Sequence, residues 1–248
     1  MSELSVQPET GTGAMRLDLA RRLVAEAVGT ALLIIAVVGS GIMASRQSSD
    51  PGLQLLENSA ATAGALIGLI LMFGAVSGAH FNPIVTLVDR LFGSISTRDT
   101  LLYTVVQTIG GCIGTVIANV MFELDPINVS KHSRATGALW LSEVVATIGL
   151  LLVIHGCVRT GRANAVPFAV GVWIGGAYWF TSSTSFANPA VTVARTLSDT
   201  FAGIAPRCVP AFLVAQLAGA LLAFGAARLL FPSLPADAVV VPHAGDQP

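Results

Sequence analysis

Ser77-Gly-Ala-His-Phe-Asn82-Pro83-Ile84-Val85-Thr86 and Ser183-Thr-Ser-Phe-Ala-Asn188-Pro189-Ala190-Val191-Thr192 are one motif written twice. Each copy follows an apolar run, passes through small residues, and restarts at Asn-Pro before a second, shorter apolar run. Asn is a preferred helix N-cap and Pro a preferred first helical residue, so each Asn-Pro is expected to start a short helix. A single Asn-Pro marks many ordinary turns. Two copies in corresponding places point to a duplicated chain.

The rest of the sequence repeats with them. Glu26 and Thr30 stand four apart in the first apolar span, as Glu143 and Thr147 do in the fourth. Gln107 precedes a glycine-rich run in the third span, and Gln216 does so in the sixth. The Asn, Glu and Gln pairs lie 106, 117 and 109 residues apart, a nearly constant period. The expected spans are Leu23–Ala44, about Ala60–Val76, Leu101–Met121, Leu139–Val158, Val166–Phe180 and Val209–Leu230. The second and fifth are expected to be short, each running into an Asn-Pro loop. Short helices are expected at Asn82–Leu91 and Asn188–Leu197. Residues 45–58 read as a polar loop, and residues 159–164 as a tight basic one.

Composition agrees. The 248 residues are 53% hydrophobic and 11% charged, with a mean hydropathy of +0.74. A soluble domain carries about 25% charged residues, and a bilayer-crossing helix needs about 20 apolar ones. The chain is therefore expected to be an all-α, polytopic membrane protein. The net charge of −1, with no basic tract, gives no sign of a nucleic-acid partner. Cys112, Cys157 and Cys208 lack metal-ligand spacing and read as small buried hydrophobes. No catalytic constellation or nucleotide-binding loop appears, so neither an enzyme activity, a metal nor a cofactor is expected.

Three spans per half is odd, so the second half enters from the opposite side. Such an inverted repeat places a pore or substrate site near the midplane. Arg16, Arg21, Arg22, Arg98, Arg159, Arg162 and Arg228 fall on one side, denser in short loops than Arg46, Lys131, Arg134 and Arg207 on the other. That bias predicts both termini in the cytoplasm. The expected layout is a tail at 1–20, a channel-like domain at 21–231 with repeats at about 21–122 and 137–231, and a tail at 232–248.

Non-helical backbone at membrane depth survives only where protein or water satisfies it. Two loops meeting at the centre would provide a polar track beside apolar walls. Both short helices would aim the positive ends of their dipoles there. The Asn82 and Asn188 amides, released from capping alone, would donate to a passing oxygen. Such a centre favours a neutral hydroxylated solute over a cation or proton. Glu26 and Glu143 are the acidic residues inside full spans, and each is placed to accept hydrogen bonds from its own half's loop backbone. His80 is expected to tie the first loop or touch the pore mouth, and His155 to be a span-end residue. The pairs Gly64/Gly68, Gly110/Gly114 and Gly171/Gly175 read as close-packing helix surfaces.

From Leu23 to Phe231 the chain resembles the aquaporin and glycerol-facilitator superfamily, through Ser-Gly-Ala-His-Phe-Asn82-Pro83 and the second Asn188-Pro189-Ala190. The resemblance implies six tilted helices with two half-helices, one pore per subunit, a homotetramer, and placement in the inner membrane. Exclusion of cations by half-helix dipoles is a recognised property of aquaporin-type pores. Two departures stand out. Ile84 replaces the expected Ala of the first motif. Val191 stands where the family usually has an arginine that narrows and polarises the outer constriction. Counting from each Asn, as the family pattern does, puts the other constriction residues at Thr62, Gly176 and Ser185, giving a small, uncharged ring. Arg195, one turn beyond Val191, either reaches back towards the vacant position or turns outward to the surface or to Asp199. The valine, with the run Arg195–Ala205, resembles bacterial aquaglyceroporins associated with arsenic resistance. This implies trivalent arsenic hydroxide (arsenite) and methylated arsenicals as solutes beside glycerol, urea and water. A water pore with an atypical filter, a secondary transporter and a non-conducting junction protein are the rival readings.

Overall fold

In the computed structural model, which describes residues 12–232 with side chains from Asp18 onward, the duplication is visible in the order of elements. The first half comprises α1 (Thr12–Gln47), α2 (Pro51–Ser77), α3 (Pro83–Phe92) and α4 (Thr97–Met121). The second comprises α5 (Gly137–Arg159), α6 (Val166–Phe180), α7 (Pro189–Ala194) and α8 (Val209–Leu230). Single 3₁₀ turns at Ala163–Ala165, Arg195–Leu197 and Pro206–Cys208 join them. Among the described residues five helices are long and apolar enough to cross a membrane, namely α1, α2, α4, α5 and α8. The sixth crossing, α6, has 15 residues, about 22 Å of rise.

Several boundaries differ from the expectation, each for a local reason. Helix α1 begins at Thr12, inside the stretch expected to be tail. Helix α2 has 27 residues rather than a short span. Its start at Pro51 consumes most of the expected polar loop, because Asp50 caps it by accepting from the Gly52 and Leu53 N–H groups. The polar residues of its first turns are used: Asn58 Nδ2 donates to the Val37 carbonyl at 2.8 Å. The second short helix is α-helical only to Ala194 and then tightens into the 3₁₀ turn. The tails expected at residues 1–11 and 233–248 lie outside the described residues.

Packing follows the repeat. In the first half α1 packs against α2 and α4; in the second α5 packs against α6 and α8. The halves join through α2 and α6, and each short helix crosses over, α7 against α4 and α3 against α8. Gly110 and Gly114 bring α4 onto the Ala27 and Ala31 carbonyls of α1, and Gly219 brings α8 against Val144 and Thr147 of α5. Gly171 packs against Ala63 and Ile67. The Gly64/Gly68 pair is different: nothing lies within 4 Å of where either side chain would stand, because that face of α2 points away from the chain.

Polarity is distributed inside out. Large apolar residues such as Leu71, Leu101, Val172, Val214 and Leu229 cover the exterior, while Glu26, Gln107, Glu143 and Gln216 are wholly buried. An apolar exterior around a polar interior suits a lipid solvent, which can pair no backbone or side-chain group.

Candidate functional site: a pore at the paired Asn-Pro loops

Each loop hangs from a buried carboxylate. Glu26 Oε1 accepts from Ser77 Oγ at 2.6 Å and the His80 N–H at 3.0 Å. Its Oε2 accepts from the Phe81 N–H at 2.7 Å and Gln107 Nε2 at 2.8 Å. Glu143 repeats the wiring, accepting from the Phe186 N–H at 2.9 Å, the Ala187 N–H at 2.8 Å and Gln216 Nε2 at 2.7 Å. Each glutamine also donates to the threonine four positions after its Asn, Gln107 to Thr86 at 3.1 Å and Gln216 to Thr192 at 2.9 Å. A carboxylate accepting from several charge-assisted donors is the strong form of this bond, and it holds backbone in an uncommon shape. Ala79 and Phe81 in the first loop, and Ser185 and Ala187 in the second, have φ between 46° and 51°. Such left-handed non-glycine residues cost on the order of 1–3 kcal/mol each and persist only where the surroundings fix them.

The two loops then tie to each other. Asn82 Nδ2 donates to the Ala187 carbonyl and Asn188 Nδ2 to the Phe81 carbonyl, both at 2.8 Å. The capping role is kept: Asn82 Oδ1 accepts from the Ile84 N–H, and Asn188 Oδ1 from the Ala190 and Val191 N–H groups. Each asparagine thus caps its helix through Oδ1 and keeps Nδ2 for donation. Each amide nitrogen carries two hydrogens, one of which makes the cross-tie. Pro83 and Pro189 occupy the first helical positions, and Ile84 and Ala190 are buried beside the junction without lining the cavity.

One cavity passes both asparagines. Its apolar wall comes from four helices: Leu33 and Val37 of α1, Leu66 and Ile70 of α2, Leu150 and Ile154 of α5, and Val166, Val170 and Ile174 of α6. The opposite wall is formed by Gly78–Asn82 of the first loop with Ser185, Phe186 and Asn188 of the second. Of the expected constriction residues, Thr62, Ser185 and Val191 line this cavity and Gly176 does not. Gly176 is exposed on the outside of α6. Positions on α6 recur on the cavity face every four residues, Val166, Val170, Ile174 and Tyr178, so a residue two positions from Tyr178 points the other way. Tyr178 is the residue α6 contributes; its hydroxyl lies 3.1 Å from Thr62 Oγ1. The four-residue stripe was the signal that could have found it.

Arg195 is buried, at 2% exposure, and lines the cavity. Its Nε donates to the Ala202 carbonyl and its guanidinium carbon sits 3.5 Å from the centre of the Phe186 ring. Asp199 is engaged elsewhere, accepting from the Lys131 N–H at 2.8 Å. A second buried arginine, Arg134, was not singled out by the sequence. It donates to the carbonyls of Gly203, Ser183 and Phe201 and stacks on Phe186 at 5.1 Å.

At the other end His80 also lines the cavity. Its Nδ1 is 3.0 Å from Thr86 Oγ1 and its Nε2 3.0 Å from Asp89 Oδ2. His155 Nε2 lies 3.8 Å from Asp89 Oδ1, and its ring tilts against Phe92. Asp89 and His155 thus form a buried cluster with His80 that sequence spacing did not reveal. The three cysteines are free.

A membrane-embedded inverted repeat with a pore between paired Asn-Pro loops is the architecture of a channel. The chain belongs to the major intrinsic protein family, which matches residues 14–184. It is 49% identical to "Aquaglyceroporin AqpS" from Rhizobium meliloti over 88% of this chain and 94% of that protein. It is 27% identical to "Probable aquaporin AqpM" from Archaeoglobus fulgidus over 84% of this chain and 96% of the relative. The fold matches the X-ray structure of the aquaglyceroporin from Plasmodium falciparum with a TM-score of 0.68 at 20% identity, covering 86% of this chain and 98% of that one.

Proposed function

We propose that this chain is a passive, bidirectional channel for small uncharged solutes, conducting glycerol and water and also undissociated arsenite and methylated arsenicals. The observation that carries the reading is the cavity running past both asparagines, with hydrogen-bonding groups on one wall and aliphatic side chains on the other. A polyol has the same two-sided character, with hydroxyls for the polar wall and a hydrocarbon backbone for the apolar one. Undissociated arsenite offers three hydroxyls in a compact neutral body. Val191, aliphatic and in the cavity wall, leaves room for it. The similarity to an aquaglyceroporin over nearly the whole chain supports the same substrate class.

Asn82 and Asn188 orient the solute through the hydrogens not used in the cross-tie, while the two helix N-termini oppose cations and protons. Thr62, Ser185, Val191 and Tyr178 shape the outer constriction. Glu26 and Glu143 hold the loops rather than carry protons, since their oxygens are occupied by loop and glutamine donors. The protein acts as a homotetramer with one pore per subunit, in the inner membrane, with both termini cytoplasmic.

The test is flux into proteoliposomes, comparing the wild-type chain with Val191→Arg. The expected result is equilibration of glycerol and arsenite without a proton or sodium gradient, and loss of arsenite but not water in the variant. Water flux without arsenite or glycerol flux in the wild type would leave a water pore instead. A requirement for an ion gradient would make it a secondary transporter.

A further inference from the structure

We infer that His80 and Asp89 form a proton switch at the end of the pore opposite Val191, so that acidification slows the passage of neutral solutes. This rests on the channel reading above and adds to it a positioning residue, Asp89, and a means of regulation.

The starting observation is a set of buried polar atoms that face one another. His80 Nε2 and Asp89 Oδ2 stand 3.0 Å apart, and His155 Nε2 lies 3.8 Å from Asp89 Oδ1. All three side chains are buried, and among the described residues His80 Nε2, Asp89 Oδ2 and His155 Nε2 have no other partner. A ring nitrogen and a carboxylate oxygen at 3.0 Å need a hydrogen between them, and a buried carboxylate without one is costly.

The other edge of the His80 ring is built for two protonation states. His80 Nδ1 is 3.0 Å from Thr86 Oγ1, which lies 3.1 Å from the Asn82 carbonyl and accepts from Gln107 Nε2. Thr86 has one hydroxyl hydrogen and two acceptors within reach. Directed to Nδ1, that hydrogen leaves a neutral ring whose own hydrogen sits on Nε2 and points at Asp89. Turned to the Asn82 carbonyl, it frees Nδ1 to carry a second hydrogen, and the ring becomes an imidazolium between Thr86 and Asp89. The Asn82 carbonyl accepts the Thr86 N–H in either case. One hydroxyl rotation therefore accommodates the proton, which arrives through the cavity that His80 lines.

The surrounding charged and titratable groups are committed elsewhere. On α1, Glu26 accepts from the loop and Gln107, and Arg22 donates to Tyr103 and Asp99 of α4. Tyr103, whose ring meets that of His80 at 5.5 Å, donates to the Ser77 carbonyl. Arg159 of α5 donates to the Phe231 carbonyl, and Arg228 of α8 stacks on Phe224. The imidazoles are left as the groups that titrate between about pH 5 and 8. A charged ring in the wall draws solute oxygens roughly twice as strongly as a neutral one, and a solute held more tightly leaves more slowly.

The experiment measures glycerol and water permeability in proteoliposomes held at equal pH inside and out, from about pH 8 to about pH 5. It compares the wild type with Asp89→Asn and His80→Gln. The expected wild-type result is a fall in glycerol permeability of roughly threefold or more towards the acid end. Asp89→Asn matches the wild type at about pH 8, and its fall moves to lower pH by about one unit or more, because the carboxylate that favours the imidazolium is gone. His80→Gln shows no such fall. A wild type with flat permeability over this range overturns the inference and leaves the channel reading intact. So does a fall that survives in His80→Gln, or one that keeps the wild-type midpoint in Asp89→Asn, as a merely structural carboxylate would give. Should His80→Gln not fold, the midpoint in Asp89→Asn decides. A wild type that passes neither glycerol nor water removes the channel reading and this one together.

Discussion

The two Asn-Pro loops share their wiring but not their surroundings. Glu26, Gln107 and Thr86 are matched one for one by Glu143, Gln216 and Thr192, and the asparagines make reciprocal bonds of equal length. Two positions along, the likeness stops. His80 and Phe186 occupy the same place in the repeat, 106 residues apart, and so do Asp89 and Arg195. In the first half the pair is an imidazole 3.0 Å from a carboxylate. In the second it is a phenyl ring 3.5 Å beneath a guanidinium. The same two positions therefore meet in both halves, one through an imidazole–carboxylate contact and the other through a cation–π contact. The duplicated geometry builds the junction, and the divergent chemistry makes the two ends of the pore different.

The comparison breaks most visibly at the carboxylates. Glu26→Gln and Glu143→Gln each replace one acceptor oxygen by an NH2 donor and leave the groups bound there without an acceptor, at a cost of roughly 3 kcal/mol. Thermal melting in detergent should show comparable losses for the two. A loss confined to one half would mean that the loops are not held equivalently.

Helix packing offers a finer contrast. A methyl group on Gly110 would overlap the Ala27 carbonyl, whereas one on Gly219 would stand 2.8 Å from the Val144 carbonyl. Gly110→Ala is expected to cost about 1–3 kcal/mol by overpacking, and Gly219→Ala less. The same melting series reads both, with Gly64→Ala as the baseline for a helical Gly→Ala change without overlap, because its side of α2 is open.

The smallest effect is expected at Asp89→Asn, about 1 kcal/mol from a weakened contact with the His80 imidazole 3.0 Å away. Flux assays on this variant at about pH 8 should keep the wild-type glycerol and water permeabilities, since Asp89 stands behind His80 and does not line the cavity. A changed permeability in Asp89→Asn at that pH would show that the cluster behind His80 acts on the pore even without taking up a proton.

Much of this was legible in the sequence. The repeated Asn-Pro, the two glutamates and the two glutamines stand at nearly constant spacing, and their roles depend on local geometry that spacing encodes. Asp50-Pro51 carries the same cap-and-proline signal as Asn82-Pro83, yet Gln54, Glu57 and Asn58 made the first turns of α2 read as loop. The side-chain amides of Gln54 and Asn58 donate to the preceding loop and to α1, a tertiary fact that composition does not contain. Gly176 was placed by counting back from Asn188, which assumes a fixed connection between helix and loop; the stripe along α6 leads to Tyr178 instead. The location of Arg195 depended on a change of helix type within one residue. Arg134 depended on carbonyls 49 to 69 positions away.

The reciprocal bonds between Asn82 and Ala187, and between Asn188 and Phe81, also set an order of events during biogenesis. The first half leaves the ribosome with an amide whose partner carbonyl is still about a hundred residues from being synthesised. Its loop must wait, open, until the second half has entered the membrane. Closing the pore junction therefore cannot precede entry of the second half, and two halves produced as separate polypeptides would complete each other's loops only when made in the same membrane.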